Sequence, residues 1–336
     1  MKIPKPPQPA LTPIRGEPAM TLIMSLIHTP LAFHVGDRLV TNQEKGRRKT
    51  WDPLANKSVL VLAQNGYMCI SYSGLAYING KPTDQWLAEA AADRQTIPGV
   101  QGGLAARFDT TLMPRIGPAL VRVRTAIETD FARQPVRYRR NGMRVIIAGW
   151  IMRRRRRLNR QPRPFMVRLR HLGRPGSTLK IDQLPRYWDW PRQAALWTVG
   201  ADPGSAIIRL LQEIEQAGFL NEDDYEALLV KCIRAVAETD DTVGKDCMSI
   251  LMGRQGPFRV RFLPNPDADL DRKAAYTPWV IGPGVMWPPS VLYGGLPTLQ
   301  AGPYQVTFER VPPVPPSSRV GAYGQPRRPA PPGSPR

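Results

Sequence analysis

Met20-Thr21-Leu22-Ile23-Met24-Ser25-Leu26-Ile27, followed by His28-Thr29-Pro30 and then Leu31-Ala32-Phe33-His34-Val35-Gly36-Asp37, decides how this chain folds. Two apolar runs of strand length flank a link that carries a proline. Proline cannot donate to a central ladder, so the pattern predicts a β-hairpin. Thr21 stands at its first residue and Asp37 near the end of its second strand. A second hairpin follows. Ser58-Val59-Leu60-Val61-Leu62 and Tyr67-Met68-Cys69-Ile70-Ser71-Tyr72 flank Gln64-Asn65-Gly66, and Asn-Gly between apolar runs is a strong hairpin signal. Ser73-Gly74 comes next, and then a helix opening near Pro82 with Thr83 to Ala91.

Outward from this block the pattern alternates. Residues 42–56 are polar and basic and read as a loop between the hairpins; 95–115 read as loop-like. Ala119 to about Phe131 has helical period. Met143–Ile151 reads as a buried strand, and Phe165–Leu172 as its partner. Between them runs Arg153-Arg154-Arg155-Arg156-Arg157, the expected tip of a hairpin spanning 153–164. Leu196–Gly200 is a short strand, Ser205–Gln216 an amphipathic helix stopping at Gly218, and Asn221 caps a helix to Glu238. Cys247–Met252 reads as a strand that closes the sheet. Taken alone, the pattern supports an α+β fold over residues 20–252.

Both ends differ in composition. Residues 1–19 are Pro-rich and cannot make a core element. They are a disordered extension, a propeptide, or lie ahead of a true start at Met20. Residues 253–310 form a Pro- and Gly-rich extension carrying Trp279 and Trp287, and 311–336 a disordered Pro- and Arg-rich tail.

The chain has 336 residues, 37 of them Pro, with 47 Lys and Arg against 27 Asp and Glu and a formal charge of +20. That charge, carried mainly by Arg, fits an anionic partner or a GC-rich genome equally well. Cys69, Cys232 and Cys247 are far apart without a C-x-x-C, which argues against a disulfide scaffold or zinc site and fits a reducing cytosol. His28, His34 and His171 have no metal-ligand spacing, so no metal or cofactor is expected. The run from Met20 to Ile27 is too short to span a bilayer, and no membrane association is expected.

Thr21, Asp37 sixteen positions later in Gly-Asp-Arg, Lys57 ahead of the next strand, and Gly74 at a strand-to-helix turn stand in a telling order. In that order the chain resembles the proteasome β-subunit family and its bacterial relatives, the N-terminal-nucleophile hydrolases. The likeness covers about residues 20 to 90 and returns more weakly at 145–152 and 194–252. It implies a four-layer αββα sandwich of two antiparallel sheets. It also implies cleavage of a peptide or amide by a free N-terminal Thr21 once residues 1–20 are gone. Lys57 and Asp37 would tune the hydroxyl and amine, the Gly74 N–H would hold the oxyanion, and Asp240, four residues before Gly244, would help organise the nucleophile. Homo-oligomeric ring assembly is a further implication. Two departures stand out: Val243 and Ala201 occupy positions where the family usually carries Ser.

The residues leave two other readings open. One is a non-catalytic scaffold or ring subunit of the same fold. The other is a polyanion-binding protein that uses Arg153–Arg157 on nucleic acid or a similar partner.

Overall fold

Side chains of β1 (Leu22–His28) alternate between two buried environments: Ile23 and Ile27 join one apolar cluster, Leu22, Met24 and Leu26 another. A strand buried on both faces needs packed material above and below its sheet. The computed structural model of the chain provides it. It describes residues 21–28, 30–44, 47–52, 55–93, 113–152, 162–184, 194–217, 220–254 and 258–267, and strand backbone within 275–310. The Pro-rich leader, the Arg153–Arg157 run, most of 95–115, Gly218 and the tail from 311 lie outside the described residues.

From β1 the chain turns at Pro30 into β2 (Leu31–Asp37), as the hairpin reading expects. Residues 42–56, expected as a loop, instead give most of a two-stranded ribbon, β3 (Val40–Glu44) and β4 (Arg47–Asp52). A polar ribbon off the main sheets carries no apolar alternation, so periodicity misses it. Next come β5 (Ser58–Ala63), β6 (Gly66–Ser73) and the short β7 (Tyr77–Ile78) and β8 (Lys81–Pro82). Helix α1 (Thr83–Ala91) follows, with Pro82 at its N-cap. Helix α2 (Ile116–Ala126) runs on through a π-helical turn, Ile127–Phe131, toward the one-turn α3 (Val136–Arg139).

Strands β9 (Met143–Met152), β10 (Pro162–His171), β11 (Lys180–Gln183) and β12 (Ala194–Gly200) precede α4 (Gly204–Ala217) and α5 (Glu222–Ala237). Asn221 caps α5, accepting the Asp224 N–H at 2.9 Å, and Glu222, Asp223 and Asp224 complement the positive end of the helix. The chain ends its described part with β13 (Cys247–Gly253), β14 (Phe258–Leu263), β15 (Ala275–Gly282), β16 (Val285–Leu292), β17 (Thr298–Ala301) and β18 (Tyr304–Arg310).

The strands form two seven-stranded sheets, in the orders β12-β1-β2-β13-β14-β18-β17 and β11-β10-β9-β6-β5-β16-β15. Pairing is antiparallel except between β14 and β18, which run parallel. β13 therefore does not close its sheet; β14 pairs with its free edge, with β18 and β17 beyond. The segment read from its composition as an extension supplies strands to both sheets. Trp279 and Trp287 are backbone register partners in β15 and β16.

Three apolar clusters hold the elements together. One takes side chains from both sheets, including Ile23, Leu62, Tyr67, Trp150, Ile250 and Phe258. A second joins β5, β6 and β9 to α1 and α2, and a third joins β1 and β2 to α4 and α5. The fold is mixed α/β, with two sheets and helices packed on each. Among the described residues no helix is long and apolar enough to cross a membrane.

Candidate active site

The hairpin β1–β2 brings its two ends together. Its register sets Ile23 opposite Gly36, so Thr21 and Asp37 meet just beyond the last pair. Asp37 Oδ1 accepts the Thr21 hydroxyl and the Leu22 N–H, the latter at 2.8 Å. β13 pairs with β2 with Cys247 opposite Asp37, which delivers the turn after α5 to the same carboxylate. There the Gly244 N–H donates to Asp37 Oδ2 at 3.0 Å, beside the Leu39 N–H at 3.1 Å.

Lys57 comes from the other sheet, one residue ahead of β5. Its Nζ donates to Thr21 Oγ1, to Asp37 Oδ2 at 3.0 Å and to the Leu39 carbonyl at 2.6 Å. Thr21, Asp37 and Lys57 are respectively 2%, 1% and 5% exposed. A charged pair this deep is held by its many hydrogen bonds; without them its desolvation would go uncompensated. The ammonium sits against the threonine oxygen, where it favours the deprotonated form.

A cavity of about 20 Å³, room for roughly one water, opens beside Thr21 and is lined by Val40, Thr41, Lys57, Tyr72, Ser73, Gly74 and Ala76. Gly74 thus borders the same space as Thr21 and Lys57. Its φ of +129° and the Gly142 carbonyl, which a Cβ would meet at 2.5 Å, require glycine whatever binds nearby. Gly200 is fixed similarly: its φ is +100°, and a Cβ would run into the Thr21 carbonyl oxygen. That carbonyl accepts the Ala201 N–H at 2.5 Å, tying the Thr21 backbone to the end of β12.

Asp240 lies in the turn between α5 and β13. Its carboxylate holds its own turn, accepting the Thr242 N–H at 2.9 Å and the Thr242 hydroxyl at 2.5 Å. The same turn presents the Gly244 N–H to Asp37. Val243 and Ala201 are both buried in the apolar cluster under α4 and α5. Gly244, Leu39, Ser73 and Thr41 are contributors that residue-type reasoning does not find. Gly244 and Leu39 act through backbone atoms, which leave no signature in side-chain identity.

Below the cavity the two sheets enclose a polar column rather than hydrocarbon alone. Ser58 and Ser71 hydroxyls meet at 2.7 Å, Ser71 meets His34 Nδ1 at 3.2 Å, and His34 Nε2 meets Ser25 at 2.9 Å. Burial pushes the His34 imidazole down to about 3, so it is neutral here. His34 is bonded within this column and is a core histidine. Burial also pushes the thiols of Cys69 and Cys247 up to about 12 and that of Cys232 to about 11, so all three are protonated and unreactive at neutral pH. Among the described residues no three His, Cys, Asp or Glu side chains are grouped to hold a metal.

No protein-family profile matches the sequence, and no curated protein matches it. Among solved structures the chain is similar to Anbu, an ancestral β-subunit, from Yersinia bercovieri, with 10% identity and a TM-score of 0.42 over 69% of this chain and 82% of that one. It is similar to the Anbu Gly-1 mutant from Hyphomicrobium sp. strain MC1, with 11% identity and a TM-score of 0.44 over 70% and 82%. It is also similar to eukaryotic HslV from Trypanosoma brucei, with 14% identity and a TM-score of 0.38 over 69% and 99%.

Proposed function

We propose that the chain is an N-terminal-threonine amide hydrolase, built as a four-layer αββα sandwich and acting once residues 1–20 have been removed. The observation that carries this reading is the buried meeting of Thr21 Oγ1, Lys57 Nζ and the Asp37 carboxylate. Cleavage ahead of Thr21 frees an α-amine with an ordinary value near 8, able to act as a base at neutral pH. The hydroxyl oxygen attacks the substrate carbonyl, and its proton passes to the amine. The tetrahedral oxyanion takes a hydrogen bond from the Gly74 N–H. Collapse expels the amine product, which takes the proton, and leaves an ester on Thr21 that water hydrolyses. Lys57 stays charged against Asp37 throughout and lowers the energy of the alkoxide. Asp37 orients Lys57 and the hydroxyl, and Asp240 maintains the turn that bonds Asp37. Ring assembly and a cytosolic setting belong to the same reading.

A second reading, a scaffold subunit without turnover, is favoured by Ala201 and Val243. Both are buried apolar groups that supply no auxiliary hydroxyl to the nucleophile.

The test joins N-terminal sequencing of the native protein to labelling with a peptide epoxyketone, which needs both a free amine and a hydroxyl on one residue. The expected result is a chain beginning at Thr21 and an adduct on Thr21 that is lost in Thr21→Ala and Lys57→Met. A native chain in which Thr21 remains bonded to Met20, with no adduct, overturns the hydrolase and leaves the scaffold.

A further inference from the structure

Ser73 borders the cavity beside Thr21, and the strands next to it carry a row of like charges. In register, Ser73 on β6 stands opposite Arg144 on β9, Arg144 opposite Arg170 on β10, and Arg170 opposite Lys180 on β11. Alternation along β10 places Arg168 and Arg170 on the same face as Met166, which lies in the cluster between the sheets. Arg168 lies over the Trp197 ring of the opposite sheet, 5.3 Å from its centroid. Arg144 donates to the Gly200 carbonyl at 3.3 Å, next to the backbone that holds Thr21. The row therefore starts at the candidate site and runs outward across β9, β10 and β11. Three strand spacings make it about 14 Å long, the reach of roughly four residues of extended peptide.

Like charges directly opposite each other on neighbouring strands destabilise a sheet. Here three stand in succession, and Arg168 adds a fourth cation. Asp182 lies 3.1 Å from Arg168 and 3.0 Å from Arg170 and is shared between them. Arg170 Nε is buried, and no described acceptor meets it. Arg168 and Arg170 remain 28% and 27% exposed, so a solute can reach them. An incoming carboxylate would relieve the repulsion, and arginine meets carboxylates with paired hydrogen bonds.

We propose that Arg144, Arg168, Arg170 and Lys180 form a subsite for carboxylate side chains on the peptide that reaches Thr21, so that the chain prefers acidic substrates. This rests on the amide-hydrolase reading for its substrate, while the subsite itself is read by binding. The experiment measures fluorescence anisotropy of the full chain with two labelled octapeptides that differ only in two Glu replaced by Gln. At low salt the Glu peptide is expected to bind at least about tenfold more tightly, and the preference shrinks at high salt. Arg144→Gln and Arg170→Gln are each expected to cut it at least about threefold, and Arg170→Lys to keep most of it. Circular dichroism verifies each fold, and Arg170→Gln decides alone if Arg144→Gln does not fold. Equal binding of the two peptides, or a Glu preference untouched by the folded Gln variants, overturns the proposal. An oligothymidylate that binds while the octapeptides are not distinguished overturns it in favour of phosphate. Turnover of the same peptides is followed in parallel. Cleavage without a Glu preference sinks the subsite and leaves the hydrolase; a Glu preference without any cleavage sinks the hydrolase and leaves the subsite.

Discussion

Asp37 is the residue on which the site converges, because it accepts from Thr21, Leu22, Leu39, Gly244 and Lys57 at once. Removing it takes the carboxylate away from the buried Lys57 ammonium and leaves three backbone N–H groups, those of Leu22, Leu39 and Gly244, without this acceptor. Asp37→Ala is expected to lower the unfolding free energy by about 3–5 kcal/mol, read from urea denaturation, and to abolish labelling of Thr21. Thr21, Asp37, Lys57 and Gly74 could be named from the sequence because their order along the chain resembles that of the N-terminal-nucleophile hydrolases; no one of them stands out by residue type alone. Asp240 could be named from the same likeness, but not the bonds that it makes. Its oxygens prefer the Thr242 N–H and hydroxyl two residues away, a local bond that spacing alone does not reveal.

At the scale of elements, periodicity found what it is able to find. The hairpins β1–β2 and β5–β6 and the helices α4 and α5 each bury a face, and burial writes a pattern. The ribbon β3–β4 does not, and β15 and β16 are disguised by proline. Pro278 sits where the register shifts between Thr277 and Trp279, in an edge strand that tolerates a missing donor. Asn221 is legible as a cap, and Asn221→Ala is expected to cost about 1 kcal/mol by thermal or urea unfolding.

The column shared by β1, β2, β5 and β6 predicts a pH effect. An unfolded histidine takes up a proton below about pH 6.5, while folded His34 stays neutral until about 3. Its contribution is therefore whole above pH 6.5 and is lost as pH falls toward 3. The slope approaches about 1.4 kcal/mol per pH unit. Urea midpoints at pH 7 and pH 5 should show it, and His34→Gln should shrink the difference between them by about 1–2 kcal/mol.

For the whole molecule, the last described strands are structural members of both sheets. β14 covers the edge of β13, and β16 pairs with β5 at Val285 and Met286, with Val285 wholly buried. Trp150 Nε1 and the Tyr67 hydroxyl donate to the carbonyls of Met252 and Gly253, fastening one sheet to the other at 3.1 and 2.5 Å. A chain ending after residue 254 is expected to expose two apolar strand edges and to aggregate. Size-exclusion chromatography with a hydrophobic dye would check it; a monodisperse, dye-silent product would contradict this architecture.

The parallel pairing of β14 with β18 also has a temporal side. On a ribosome, the Thr21 hairpin emerges early, yet the sheet that contains it waits for residue 310 before its last pairing can form. At ordinary synthesis rates that delay is roughly 14–55 s. A nascent chain spends this interval with sticky borders showing, which makes it a natural client for chaperones and ties completion of the N-terminal pocket's sheet to the end of translation.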